Sequence, residues 1–203
     1  MHCLLSRRLL ILLDFAVATF SVHSAAAQAS LYRVDQRYGT VGFSITSLGL
    51  FSTEGRFARF EGQLLLDPDH PEQTRIEVTI DGNSVEMPLD DEVSMLRSPS
   101  YFDTSRYPTE RFVSTSIQEV APSHYLIHGT LQVRGVVNPQ DLDAVMTERH
   151  VDTAKHIQWA DFVVTGQMRR SAFGMTADQT MVSDTVHLKI RIRLTVGVDP
   201  KAG

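Results

Sequence analysis

The sequence predicts an all-β protein, an antiparallel β-barrel of about eight strands with one or two short helices. Apolar and polar residues alternate with a period of two over most of Leu31–Val196, which is typical of strands that bury one face. Glycine, proline, asparagine and aspartate interrupt this alternation repeatedly, where antiparallel strands would turn. Helical periodicity is scarce, so few helices are available to cover an open sheet. Closure into a barrel would remove the exposed edges of such a sheet.

Six segments carry the alternation most clearly, and each is predicted to be a strand. In the last of them, Val186 and Leu188 alternate with His187 and Lys189, so one face is apolar and the other is charged. Strands with this pattern surround one interior and do not lie between layers of helices. In chain order the segments are Thr40–Thr46, Arg75–Ile80, Phe112–Val120, Tyr125–Val133, Trp159–Met168 and Thr185–Val196.

One helix is predicted at Leu89–Ser98, where Asp90 or Asp91 would provide the N-cap. A shorter turn is expected around Leu48–Thr53. Neither segment could form a second core, and no linker or internal repeat divides the chain. We therefore expect residues 30–203 to form a single domain.

The chain begins with the pattern of a secretory signal peptide, residues 1–29. Two arginines precede the apolar stretch Leu9–Phe20, and small residues follow it, which is the order of segments in signal peptides. Cleavage is expected after Ala27 or after Ala29, and both sites stay open. The apolar stretch contains an aspartate and is much shorter than the about 20 residues that cross a bilayer, so we expect no membrane span. A periplasmic or secreted protein is therefore expected.

Composition and motifs disfavour several classes of function. The formal net charge of −5 provides no basic field for a phosphate backbone, so nucleic acid is not an expected partner. The single cysteine, Cys3, lies in the signal peptide, so the mature chain would lack a thiolate nucleophile and a cysteine-ligated metal. The G-x-S-x-G, P-loop and H-E-x-x-H motifs are missing. We therefore expect no enzyme activity, no cofactor and no metal.

The histidines give no strong metal site. On a strand, the spacing of His124 and His128 would separate them by about 13 Å, too far for one ion. His150 and His156 are expected in a polar connection with Asp152, and a solvated loop explains this group better than a metal cluster.

A set of motifs, in a fixed order, covers nearly all of the mature chain. The motifs are Val41-x-Phe43, Gly55-Arg56-Phe57-x-x-Phe60-x-Gly62, Leu96-Arg97-Ser98-x-x-Tyr101-Phe102-Asp103, Tyr107-Pro108-x-x-x-Phe112-x-Ser114, Gly129-x-Leu131-x-Val133-Arg134-Gly135-Val136, and Arg170-Ser171-Ala172-Phe173-Gly174-Met175 with Val182-Ser183-Asp184. Together they resemble the YceI-like family, exported lipid-binding proteins also described as polyisoprenoid-binding. The resemblance implies a lipocalin-like antiparallel barrel, closed around a hydrophobic tunnel that holds a long polyprenyl or similar lipid chain.

The chain departs from the family at three frequent histidines. The corresponding positions are Tyr38-Gly39, Ser47 and Met95. The loss of polar groups along the wall favours a purely apolar ligand.

Two sets of residues are candidates for lipid contact. The tunnel-lining candidates are apolar: Phe43, Ile45, Phe57, Phe60, Leu96, Phe102, Phe112, Phe162, Phe173 and Met175. Each could equally pack the interior, because a narrow barrel fills with its own side chains. Arg97 and Arg170 are head-group candidates, since an arginine fork suits a diphosphate. The alternative for each is a surface arginine paired with an acidic residue.

We therefore expect a protein that binds, sequesters or transports a long-chain apolar lipid, most readily a polyisoprenoid. A buried methylene contributes ~0.8 kcal/mol, so a five-carbon unit contributes ~4 kcal/mol against ~1.5 to 3 for one charged hydrogen bond. The tail should dominate affinity. A fatty acid or fatty amide binder, an enzyme acting on a prenyl diphosphate, and a structural or stress-response envelope protein without a ligand stay open as alternatives. A homodimer formed through a strand edge stays open as well.

Overall fold

The computed structural model describes residues 30–66, 73–152, 154 and 157–196. The predicted signal peptide lies outside the described residues. Within them the chain forms one helix, α1, and eleven strands, β1 to β11. The elements are β1 Ser30–Val34, β2 Thr40–Ser47, β3 Phe51–Phe57, β4 Phe60–Leu66, β5 Arg75–Asp81, β6 Val85–Glu86, α1 Asp90–Arg97, β7 Thr109–Ala121, β8 His124–Val133, β9 Val136–Asp152, β10 Ile157–Arg169 and β11 Val182–Val196.

Eight strands close into an antiparallel barrel, which confirms the predicted fold class. Their order around the barrel is β1-β4-β5-β7-β8-β9-β10-β11, and pairing of β11 with β1 closes the ring. The long strand β11 uses one edge twice: Leu194 pairs with Val34 of β1, while Arg191 pairs with Thr40 of β2. Strands β2, β3 and β6 therefore continue the sheet outward from β11.

The six predicted strands are present as β2, β5, β7, β8, β10 and β11. The other five strands, β1, β3, β4, β6 and β9, were not predicted. The longest of them is β9, where most side chains in the second half are exposed and the alternation fades. The expectation that His150 and Asp152 lie in a polar connection is wrong, and His156 lies outside the described residues. His150 belongs to β9, and its ring stacks on Trp159 of β10 with the ring centroids 5.4 Å apart.

The helix is present, but its predicted cap is wrong. Leu89 occupies the N-cap position without a side-chain hydrogen bond, and the acidic residues lie within the first turn, where the helix dipole favours them. The expected turn at Leu48–Thr53 is shorter than predicted, since β3 begins at Phe51. Short 3-10 turns lie at Gln36–Tyr38, Gly82–Ser84 and Arg170–Phe173. None of the helices in the described part of the chain has the length and apolar character needed to cross a membrane.

The turn between β8 and β9 is a two-residue hairpin turn, Arg134–Gly135, that also contacts the loop after α1. Arg134 and Gly135 both have positive φ, 52° and 75°, as a two-residue hairpin turn of type I′ requires. The Arg134 guanidinium donates hydrogen bonds to the carbonyl oxygens of Pro99 and Tyr101. This hairpin therefore anchors the loop that follows α1.

The core has two clusters of buried side chains. One is built mainly from β7 to β10 and includes Phe112, Leu142 and Val164. The other joins β1 to β4, β6 and β11 and includes Phe57 and Phe60. Residues of both clusters line the cavity described next.

Candidate functional site

The barrel encloses a cavity of about 230 Å³ with an almost entirely apolar wall. Side chains from β1 to β5 and from β7 to β11 form its sides, and residues of α1 and of the loop after it cover one end. Among the described residues that line it, only Met95 of α1 is exposed, with 43% of its surface accessible. The cavity therefore meets the surface beside α1.

The alternation along the strands places apolar side chains on the inner face of the barrel and charged side chains on the outer face. On β11, Leu188 and Ile190 line the cavity, while Lys189 and Arg191 between and beside them are exposed. On β7, Phe112 is buried against the cavity and its neighbour Arg111 is exposed. The charged outer face and the apolar inner face follow from the same period of two.

Most of the sequence-predicted lining candidates border the cavity. These are Phe43, Ile45, Phe57, Phe60, Leu96, Phe102, Phe112 and Met175. The other two, Phe162 and Phe173, are not among the described lining residues. Phe162 lies beside Tyr125 with the ring centroids 6.2 Å apart, and Phe173 is buried in the core cluster of β7 to β10. Lipid contact by any of the ten stays a prediction.

Three rings form a continuous aromatic part of the wall. The centroids of Phe43 and Phe57 are 5.6 Å apart, and those of Phe57 and Phe102 are 5.5 Å apart with the rings nearly perpendicular. Edge-to-face contacts of this kind stabilise the relative position of the rings. The contacts connect β2 and β3 with the loop after α1.

Arg170 is deeply buried, and its guanidinium is directed at backbone carbonyls. Its Nη1 donates to the carbonyl oxygens of Met175 and Ala177 at 3.1 and 2.5 Å, and its Nε and Nη2 donate to those of Ser183 and Val182 at 3.0 Å. Four of the five N–H donors of an arginine are thus engaged. Arg170 holds the connection between β10 and β11 in place.

Arg97 also bonds to the backbone. It is exposed, and its Nη2 donates to the carbonyl oxygen of Asn83 at 2.6 Å, which ties the end of α1 to the 3-10 turn before β6. Arg97 is not among the described residues that line the cavity. Arg170 does reach the cavity wall, but its guanidinium is bonded to backbone carbonyls. Neither predicted head-group arginine therefore presents a free pair of N–H donors to the cavity.

Sequence reasoning missed the polar groups inside the cavity. Gln140 lines it and donates to the carbonyl oxygens of Asp141 and Gln167. Glu110 also lines it, with 3% of its surface accessible, and burial raises the pKa of its carboxyl to about 8. Counting two residues back from Phe112 would have placed Glu110 on the inner face.

The histidines of β8 pair with carboxylates on β9. His124 lies 2.9 Å from Asp143, and His128 lies 2.7 Å from Asp141. Across residues 30–66, 73–152, 154 and 157–196, no three His, Cys, Asp or Glu side chains converge as metal ligands would.

Comparison with known proteins gives a consistent result. A family model for the YceI-like domain matches residues 32–194. Protein YceI of Salmonella arizonae is 28% identical over 187 residues, which cover 89% of this chain and 95% of that protein.

Two solved structures share the fold. Burkholderia cenocepacia BcnA has a TM-score of 0.70 at 23% identity, covering 79% of this chain and 98% of that one. A polyisoprenoid binding domain from Saccharophagus degradans, implicated in plant cell wall breakdown, has a TM-score of 0.58 at 14% identity, covering 84% and 100%.

Proposed function

This chain belongs to the YceI-like family, and from that premise we propose that it binds a long-chain apolar lipid, a polyisoprenoid, in the barrel cavity. It would sequester or transport the lipid without transforming it. The observation that carries the proposal is the cavity itself, whose wall is almost entirely apolar and which meets the surface beside α1. The domain from Saccharophagus degradans that shares the fold is described as polyisoprenoid-binding, which supports the same class of ligand here.

The energetics favour recognition of the tail. Each methylene that leaves water for this wall contributes ~0.8 kcal/mol, and the sum grows with every unit of the chain that enters. The volume of about 230 Å³ is below the ~300 to 1,000 Å³ of typical sites for small molecules. We therefore propose that the cavity holds one part of a long chain and that the rest leaves beside Met95.

The polar groups in the wall support binding more than catalysis. Gln140 and Arg170 are already hydrogen-bonded to the backbone, and the hydroxyl of Tyr101 is bonded to Asp178. A nucleophile needs a base within hydrogen-bond reach. These three side chains are committed to protein partners, so they do not supply such a pair. Glu110 also lines the cavity, but its carboxyl oxygens have no hydrogen-bond partner on another described residue, so no nucleophile lies within its reach.

We also propose export, with residues 1–29 removed as a signal peptide. A carrier with an apolar interior gives a water-insoluble chain a route across an aqueous compartment. The intact mass of the exported protein tests this step. A mature chain that begins at Gln28 or Ser30 supports it, whereas a secreted chain that retains Met1 contradicts it.

The direct test of the function is the lipid retained through purification. We would express the full chain, extract the purified protein with organic solvent and identify the extract by mass spectrometry. A branched isoprenoid in near-stoichiometric amount supports the proposal. Straight acyl chains alone would favour a fatty acid or fatty amide binder. An empty protein that takes up no prenyl chain from vesicles would favour a structural protein.

A further inference from the structure

Two acidic side chains line the cavity, Glu92 of α1 and Glu110 of β7, and of these two only Glu110 is fully buried. Glu110 lies near the start of β7, and its neighbours Thr109 and Arg111 are exposed while Glu110 itself has 3% of its surface accessible. It points to the inner side of the barrel and contributes to the wall of the cavity.

Neither carboxyl oxygen of Glu110 has a hydrogen-bond partner on another residue within the described part of the chain. Buried polar atoms are paired in the great majority of cases, because an unpaired one loses its water without replacement. Gln140 and Arg170 in the same wall follow that rule, whereas Oε2 of the partly exposed Glu92 also has no partner among the described residues. Glu110 therefore lacks a partner at the place where a ligand would lie.

The backbone around Glu110 leaves room for the carboxyl group. A Cβ atom on Gly82 would lie 3.0 and 3.1 Å from the two carboxyl oxygens and 3.2 Å from a methyl carbon of Thr104. A side chain at position 82 would press on the carboxyl group. Glycine at this position allows Glu110 to stay on the inner face.

The charges near Glu110 oppose its ionisation. Burial raises the pKa of its carboxyl, and the like charge of Asp81 raises it further, while the amide of Glu110 itself opposes the shift. Asp81 is paired with Arg59 at 2.7 Å on the exposed side. At neutral pH the group is mainly a carboxylic acid, with one O–H donor and a carbonyl acceptor.

We propose that Glu110 is the head-group site of this cavity and that it receives an uncharged head with a hydroxyl group, as in a long-chain alcohol, while it disfavours anionic heads. This inference rests on the proposed lipid-binding function. A hydroxyl can donate to the carbonyl oxygen and accept from the O–H of the acid. A phosphate or carboxylate head would have to leave water for a low-dielectric site, where the uncharged acid of Glu110 offers it one O–H donor and no positive charge.

The test compares three probes on the delipidated full chain: geranylgeraniol, geranylgeranyl diphosphate and squalene, which has no head group. Affinities are measured by displacement of a fluorescent lipid. We expect wild type to bind the alcohol at least tenfold more tightly than the diphosphate. We expect Glu110→Leu to lose about tenfold in affinity for the alcohol and to keep its affinity for squalene.

Two further variants serve as controls. Glu110→Gln retains a donor and an acceptor, so it should keep affinity for the alcohol within about threefold, and it should bind the diphosphate more tightly than wild type does. Glu61→Leu changes an exposed glutamate of β4 and should leave all three affinities unchanged.

The outcomes separate the two proposals. If squalene and the alcohol bind but Glu110→Leu does not change their ratio, the lipid function stands and the role of Glu110 is overturned. Tighter binding of the diphosphate than of the alcohol by wild type also overturns it. If none of the three probes binds, the lipid function fails, and this inference fails with it.

Discussion

The hydroxyl of Tyr101 donates a hydrogen bond of 2.6 Å to a carboxylate oxygen of Asp178. This bond joins the loop after α1 to the connection between β10 and β11. The same connection is held from inside by Arg170, and the same loop is held by Arg134. Tyr101 also lines the cavity, so these contacts fix the covered end of the cavity.

Replacing Tyr101 with phenylalanine should remove the bond and keep the ring. Because Asp178 is exposed and would regain water, we expect a loss of about 0.5 to 1.5 kcal/mol in the free energy of unfolding. Chemical denaturation measures it. Tyr107→Phe, in the same loop, is the matched control and should lose less. Equal losses in the two variants would contradict a specific role for Asp178.

The same bond has a defined pH dependence. Burial and the bond to Asp178 raise the pKa of Tyr101 to about 12 from its usual 10. A group with a raised folded pKa stabilises the fold below its unfolded pKa and loses this contribution as pH rises. The contribution of Tyr101 should therefore be complete below pH 10 and be lost between about pH 10 and 12. Denaturation of wild type and Tyr101→Phe across this range should show their difference shrinking.

Arg170 is predicted to be structural. Replacing it with glutamine would leave several buried or partly buried carbonyl oxygens without donors, so we expect a loss of about 2 to 4 kcal/mol in unfolding free energy. Arg97→Gln, at an exposed site with one backbone bond, should lose about 1 kcal/mol or less. The ratio of affinities for geranylgeraniol and its diphosphate should not change in folded Arg170→Gln. A selective loss of diphosphate binding would instead identify Arg170 as a head-group residue.

Some of these features could be predicted from the sequence and others could not. Strand β11 could be predicted because its two faces lie in different environments. Leu188 faces the apolar interior and Lys189 faces water, so apolar and polar residues alternate in the sequence. Strand β9 is stabilised by backbone hydrogen bonds to β8 and β10. Backbone pairing does not depend on side-chain polarity, so the sequence shows no alternation in the second half of β9, where most side chains are exposed to water. The fork of Arg170 could not be assigned, since its carbonyl partners are brought together only by the fold.

Glu110 should make stability fall as pH rises. Its folded pKa, about 8, lies above the usual 4.5, so between these values the folded state binds more protons than the unfolded state. The contribution of this group to the free energy of unfolding is complete below about pH 4.5. It falls by on the order of 3 to 5 kcal/mol as the pH rises to about 8. Asp81 is the charged group that acts on it. Glu110→Gln, measured by denaturation from pH 5 to 9, should abolish this decline, and an unchanged decline would contradict the burial of an uncharged acid.

Gly129 should be intolerant of a side chain. A Cβ there would lie 2.5 Å from the Phe112 ring and 2.5 Å from the carbonyl oxygen of Val113. The backbone carbonyl cannot move aside without disturbing the pairing of β7 with β8, so we expect Gly129→Ala to lose about 1 to 3 kcal/mol in thermal or chemical unfolding. Gln118→Ala, at an exposed position of β7, provides the contrast and should change the free energy of unfolding by ~0.5 kcal/mol or less. Equal losses in the two variants would contradict the steric account.

Lipid contact with the apolar wall can be tested by comparing a variant on the inner face of a strand with a variant on its outer face. Phe112→Asp would place an unpaired charge in the cavity wall and should reduce lipid occupancy strongly. Because that change could also prevent folding, Leu188→Gln offers a milder substitution in the wall, and Lys189→Gln alters the exposed outer face of the same strand. Native mass spectrometry of wild type and of the two folded β11 variants should show that bound lipid is reduced in Leu188→Gln and unchanged in Lys189→Gln. Equal occupancy in the two would mean that the lipid is held elsewhere, since only the inner face can sense a buried chain.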